Sequence, residues 1–151
     1  MSKHVGGCFC GDVSFEIAVD PMLEFQCHCS DCQVLYGSSL NACAFNKEEV
    51  DIIGKLENYA WVGGSGEKIS RNFCPTCGVS IYAEPELLDG MIYMPIGIFR
   101  HQENLSPRLE LWTGSKPNWM EPPKTLQDSF VDNGTIERIS MLLENLDQRQ
   151  K

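Results

Sequence analysis

The sequence has no run of about 18 apolar residues, so it contains no segment long enough to cross a bilayer as a helix. It is also short of positive charge. Twelve Lys and Arg stand against 21 Asp and Glu, a net charge of −9, and the pI is near 4.7. Nucleic-acid surfaces need clustered cations to release counterions, so DNA and RNA are excluded as expected partners. Met1 to Gly7 lacks the apolar stretch of about 7–15 residues that a secretory leader carries, and a cytoplasmic location is expected. There is no internal repeat and no low-complexity tract. With 42% apolar and 22% charged residues, disorder along the whole chain is excluded. The 151 residues are expected to form one domain over 1–151, with a core over about 4–130.

Cysteine is what the chain does have. Seven of the eight cysteines fall in three short groups: Cys8-Phe9-Cys10, Cys27-His28-Cys29-Ser30-Asp31-Cys32 and Cys74-Pro75-Thr76-Cys77, with Cys43 alone. A disulfide framework is disfavoured by the expected reducing compartment and by these metal-type spacings. Residues i and i+2 of a strand face one side about 6.8 Å apart, and side chains leaning inward bring their sulfurs to the roughly 3.8 Å that a tetrahedral zinc requires. Cys74 to Gly78 reads as a tight knuckle, with Pro75 presetting one dihedral and Gly78 free to take positive φ. All-thiolate sets select zinc, copper(I) or iron–sulfur clusters, and the spacings do not fit the ferredoxin patterns.

The half-sites near residues 8 and 74 make one closed four-sulfur set. Cys27, Cys29 and Cys32 remain as three ligands on one short loop. Three protein ligands with an open fourth position is the pattern of a catalytic zinc, and four is that of a structural one. Cys43 or His28 is able to close the second set, although His28 points away from Cys27 and Cys29 if the segment is extended. Cys43, in the strand-like Leu40 to Phe45, reads more readily as a small buried hydrophobe.

Four ordered segments resemble the glutathione-dependent formaldehyde-activating enzyme family, which includes the centromere protein V proteins. They are Gly6 to Phe15, Cys27 to Cys32 followed by Gly37-Ser38, Arg71 to Gly78, and Lys116-Pro117-Asn118-Trp119. The resemblance implies a mostly β fold, a zinc-stapled β-tent of antiparallel strands like that of methionine-R-sulfoxide reductase B. It implies two zinc ions per chain: a structural one on Cys8, Cys10, Cys74 and Cys77, and a catalytic one on Cys27, Cys29 and Cys32. It further implies carbon–sulfur lyase chemistry on a thiol such as glutathione and a small aldehyde, giving S-hydroxymethylglutathione from formaldehyde. One departure stands out. Where many members carry basic residues directly after the second motif, this chain has Gln33-Val34.

The remaining pattern is that of a β domain. Val13 to Val19 alternates as a half-buried strand does. Val50 to Ile53 and Glu57 to Val62 read as strands around a Gly54-Lys55 turn. Gly63 to Lys68 fails the Walker spacing and reads as a hairpin turn into Ile69 to Phe73. Ile81 to Glu84 reads as a strand stopped by Pro85. Met91 to Phe99 reads as a buried strand in which Pro95 marks an edge or a bulge. The proline-rich 100–130 stretch reads as ordered loop anchored by Trp112 and Trp119, for which packing is favoured over lining a cleft. Apolar spacing predicts a short C-terminal helix over about 135–148. His4 and His101 read as surface residues, and no carboxylate pair is placed as an acid–base couple. An enzyme acting on a thiol and an electrophile is the leading reading. The alternatives are a non-enzymatic zinc-binding protein-interaction module and, weakest, a thiol redox device on Cys29 and Cys32.

Overall fold

A computed structural model of the protein describes residues 3–133. The expected helix over 135–148 lies outside the described residues. Within them the chain is mostly β, with eleven strands, one short α-helix and three single 3-10 turns. No helix among them is long and apolar enough to cross a membrane.

The strands make two sheets. The smaller holds β1 (His4–Gly7), β2 (Ser14–Ile17) and β5 (Val50–Ile53) in the order β1-β2-β5, all antiparallel. Phe15 and Ile17 point inward and Glu16 outward, as the alternation predicts. The larger sheet contains β3 (Leu23–Cys27), β4 (Leu40–Asn46), β6 (Glu57–Val62), β7 (Lys68–Phe73), β8 (Ser80–Pro85), β9 (Met91–Pro95), β10 (Leu109–Leu111) and β11 (Asp128–Ser129). Its order is β11-β10-β3-β4-β9-β8-β7-β6. Pairing is antiparallel except around β10, which runs parallel to β3 and β11.

Strand β4 separates two cores because its side chains alternate. Cys43 and Phe45 face Phe15, Ile17, Ile92, Met94 and Phe99. Leu40, Ala42 and Ala44 face Phe25, Cys27, Leu109 and Phe130 on the other side.

Several expectations need correction. The strands flanking Gly54 do not form a hairpin: β5 pairs with β2, and β6 pairs with β7 in the other sheet. Gly54, at φ +113°, redirects the chain, and a Cβ there would lie 2.3 Å from the Asp12 carbonyl oxygen. Pro95 marks no edge. It ends β9, which lies between β4 and β8, and the chain turns into a 3-10 turn over Ile96–Ile98. The 100–130 stretch is not all loop, since β10 is buried beside β3. Trp119 anchors nothing, being 77% exposed. His4 is not a free surface residue: its ring packs edge-on against Phe45 and Phe99 and meets Asp20 at 3.1 Å. The hairpin reading of Gly63 to Lys68 stands, with Val62 paired to Lys68.

Candidate metal centres and the adjoining cavity

The sulfurs gather into two groups, each within 4.8 Å: Cys8, Cys10, Cys74 and Cys77, and Cys27, Cys29 and Cys32.

The four-sulfur group joins two hairpin turns from different sheets. Cys8 and Cys10 lie in the β1–β2 turn, where the Cys8 N–H donates to the Val13 carbonyl at 2.9 Å and the Val13 N–H points at Cys8 Sγ at 3.3 Å. Cys74 and Cys77 lie in the β7–β8 turn. There Gly78, at φ +76°, lets its N–H reach the Cys74 carbonyl at 2.9 Å. Thr76 donates to Asp12 across the two turns at 2.7 Å. Cys8 and Cys10 sulfurs are 3.6 Å apart, and those of Cys10 and Cys74 are 3.7 Å apart. A tetrahedral zinc–thiolate site needs about 3.8 Å, so these donors fit zinc. Backbone N–H groups and the neighbouring thiols hold Cys77 down to about 6, whereas for Cys10 the hydrogen bond from the Asp12 backbone is outweighed by desolvation and the neighbouring thiols, which push it up to about 12. Four thiols this close do not ionise together without a cation among them.

The three-sulfur group comes from one stretch of six residues. Cys27 ends β3. Cys29 is the N-cap of helix α1 (Ser30–Tyr36), its sulfur accepting the Cys32 N–H at 3.3 Å, and Cys32 sits in the helix's first turn. Sequence reading missed α1 because it is only seven residues long and fully buries none of them, so it shows no apolar period. Hydrogen bonds from the Cys27 and Cys32 thiols hold Cys29 down to about 3, while the same contact raises Cys27 to about 12. The donor set thus suits a soft divalent cation here too. No fourth His, Cys, Asp or Glu joins it among the described residues.

The two side chains that sequence reading left able to close it are committed elsewhere. Cys43 is wholly buried on the opposite face of β4, in the other core, where burial pushes its thiol up. His28 is wholly buried and turned away from the sulfurs' shared side. Its Nδ1 meets Ser39 Oγ at 2.7 Å and its Nε2 meets Glu110 Oε2 at 2.9 Å. Glu110 also accepts from Lys116 at 3.0 Å and from Ser129 at 2.9 Å. Burial works against its charge, but these hydrogen bonds outweigh it and hold the carboxyl below the usual range. Gln33, the residue at the departure from the family pattern, donates to the His28 carbonyl at 2.8 Å and to the Ser115 carbonyl at 3.0 Å. It braces the cysteine loop. Sequence reading missed Glu110 because a carboxylate between two leucines carries no local mark of what it faces.

Cys27, Cys29 and Cys32 line a cavity of about 150 Å³. Its other walls are mostly apolar and aromatic, with Asp31 and Lys68 among them, and come from segments far apart in sequence, including Phe25, Leu40, Trp61, Leu88, Tyr93 and Trp112. Burial pushes the Tyr36 hydroxyl up to about 12 and that of Tyr93 higher still, so both phenols in the wall are neutral.

The sequence profile described as Glutathione-dependent formaldehyde-activating enzyme matches residues 3–115. The chain belongs to this family. The match covers both sulfur groups and ends with the 3-10 turn Thr113–Ser115 that follows β10. The family member also resembles a crystal structure of a Rhodobacter sphaeroides protein, with a TM-score of 0.51 and 22% identity over 69% of this chain and 92% of that one. That likeness speaks for the fold alone.

Proposed function

We propose that this family member is a zinc-dependent, carbon–sulfur lyase-like enzyme acting on the thiol adduct of a small aldehyde, in the manner of S-hydroxymethylglutathione synthesis, on a zinc-stapled β-tent. Cys8, Cys10, Cys74 and Cys77 would hold a structural ion, and Cys27, Cys29 and Cys32 a second, reactive one. The observation that carries the reading is the contrast between a closed set of four sulfurs and a set of three that opens on a cavity.

The chemistry an ion supplies at the three-sulfur site is stabilisation of a thiolate near neutral pH and polarisation of a carbonyl oxygen. The reaction itself is an addition. The thiol sulfur bonds to the carbonyl carbon, the π pair moves to oxygen, and the thiol proton ends on that oxygen; the reverse breaks the carbon–sulfur bond. The protein's own groups supply placement. Gln33 and the His28–Glu110–Lys116 chain fix the cysteine loop against β10. The apolar walls keep water from the carbonyl and hold both reactants close, which is where much of such a rate gain comes from.

The test is an NMR assay of adduct formation between glutathione and formaldehyde, with zinc-replete protein at several pH values. Acceleration that disappears in Cys29→Ser is the expected result. No acceleration by wild-type protein at any pH, with formaldehyde or with benzaldehyde in its place, would remove the enzyme reading.

A further inference from the structure

The cavity beside Cys27, Cys29 and Cys32 is far larger and more apolar than formaldehyde needs. We infer that it receives the carbon side of the substrate and selects adducts of aldehydes bearing an apolar substituent of about one aromatic ring. This rests on the reading of the three-cysteine group as the reacting centre.

Size is the first argument. The cavity measures about 150 Å³, and an apolar cavity of about that volume is enough to hold a benzene molecule. The CH₂ of a formaldehyde adduct would leave it almost empty. Charge is the second. Apart from the cysteines, Asp31 and Lys68 are the only formally charged side chains in the wall among the described residues, and Asp31 accepts the Trp61 indole N–H at 3.1 Å. A glutathionyl group brings two carboxylates and an ammonium. Lys68 and Asp31 would meet one carboxylate and the ammonium and leave the other carboxylate without a partner, at a high desolvation cost. The thiol half therefore lies toward solvent, and the chamber is left for carbon.

Backbone strain is the third argument. Trp112 is the one non-glycine residue with positive φ among those described, at +58°. It is held there by hydrogen bonds of 3.1 Å from its N–H to the Asp132 carbonyl and from the Thr113 N–H to the Phe130 carbonyl. Such a conformation is costly for a residue with a Cβ and is kept where the surrounding structure holds it, as it is where a side chain must be presented in one direction. Here the indole is presented to the cavity. It lies against Gly64, where a Cβ would come within 2.8 Å of the ring, so the 63–66 turn is shaped around it.

The probe is benzyl alcohol, which presents a ring and an oxygenated carbon without a thiol or a carbonyl. Zinc-replete protein is titrated with it and with ethanol, following the indole N–H signals of Trp61, Trp112 and the exposed Trp119 by NMR. The expected result is a shift of the Trp61 and Trp112 signals, with Trp119 unmoved. Benzyl alcohol should bind roughly 10- to 100-fold more tightly than ethanol, as burying one ring implies. Leu35→Phe and Leu87→Phe, on separate walls, should each weaken benzyl alcohol by about 10-fold or more by filling the space. Equal affinity for the two alcohols, or binding that leaves Trp61 and Trp112 unmoved, would overturn the inference. Failure of the adduct assay with both formaldehyde and benzaldehyde, with ring binding intact, would remove the enzyme reading while upholding the ring site.

Discussion

The two cysteine groups use the same side chain to different ends. The four-sulfur group ties turns from different sheets, with Cys10 and Cys74 64 residues apart along the chain. The three-sulfur group spans Cys27 to Cys32 and ties nothing distant. A cross-link over a long loop removes far more unfolded-chain freedom than one over a short loop. On the proposed function, the first group would hold the fold and the second a reactant. Their surroundings agree. Cys74 is wholly buried at the edge of the core between the sheets, whereas Cys27, Cys29 and Cys32 form one wall of a cavity.

The largest expected effect comes from breaking the first group. Cys74→Ser should cost at least about 5 kcal/mol, or roughly 15 °C or more in Tm, because the folding energy lent by a structural zinc is lost with its ligand set. Cys29→Ser should cost less than about 2 kcal/mol and should abolish thiol–aldehyde activity. Thermal melting by circular dichroism compares the two directly, and equal destabilisation would break the distinction.

Next in size is Glu110→Ala. It leaves His28 and Lys116 facing each other inside the protein without their shared acceptor, and the expected loss is about 3–5 kcal/mol. Glu110→Gln should recover part of that by keeping one acceptor oxygen. Urea denaturation measures both. A neutral Glu110→Ala would show that the buried chain does not brace the three-cysteine loop.

Gly54→Ala should cost about 1–3 kcal/mol, since it adds a Cβ at φ +113° against the Asp12 carbonyl. Because Asp12 also receives Thr76 across the two turns, this variant should loosen the four-sulfur group and spare the other. Zinc release to a chelator, followed in wild type and variant, sharpens the comparison: faster loss of one ion only is expected.

The smallest effect is a control remote from both groups. A hydrogen bond from Lys3 holds the Asp20 carboxyl below its ordinary value. The folded-state pKa is thus depressed, so its contribution is present above the unfolded pKa of about 3.9 and is lost as pH falls through the folded value. The pair is exposed, so Asp20→Asn should change stability at neutral pH by less than about 1 kcal/mol and flatten the acid limb slightly. Its zinc content should equal that of wild type.

What could be read from sequence was whatever is local. The three cysteine motifs were legible because each is written within six residues, and β2, β4 and the β6–β7 hairpin because alternation and glycine turns are short-range signals. Strand β1 was not read because two of its four residues, Gly6 and Gly7, carry no pattern. Strand β10 was hidden because three residues among prolines show no period. The change of sheet at Gly54 was hidden because a turn residue does not say which strand comes next to it in space. The cavity was the least legible of all. Its walls come from segments between Phe25 and Asn133, and only the folded sheet brings them beside Cys27. Trp112 and Trp119 look alike in sequence, yet one lines the cavity and the other is exposed.

The most direct test of the central claim is the zinc-to-protein ratio of wild type and Cys29→Ser, each purified without chelators, by elemental analysis against amino-acid content. A ratio near two that falls to near one in the variant, with the fold retained, is the predicted result. A wild-type ratio near one that added zinc does not raise would contradict it and leave Cys27, Cys29 and Cys32 without a metal-centred role.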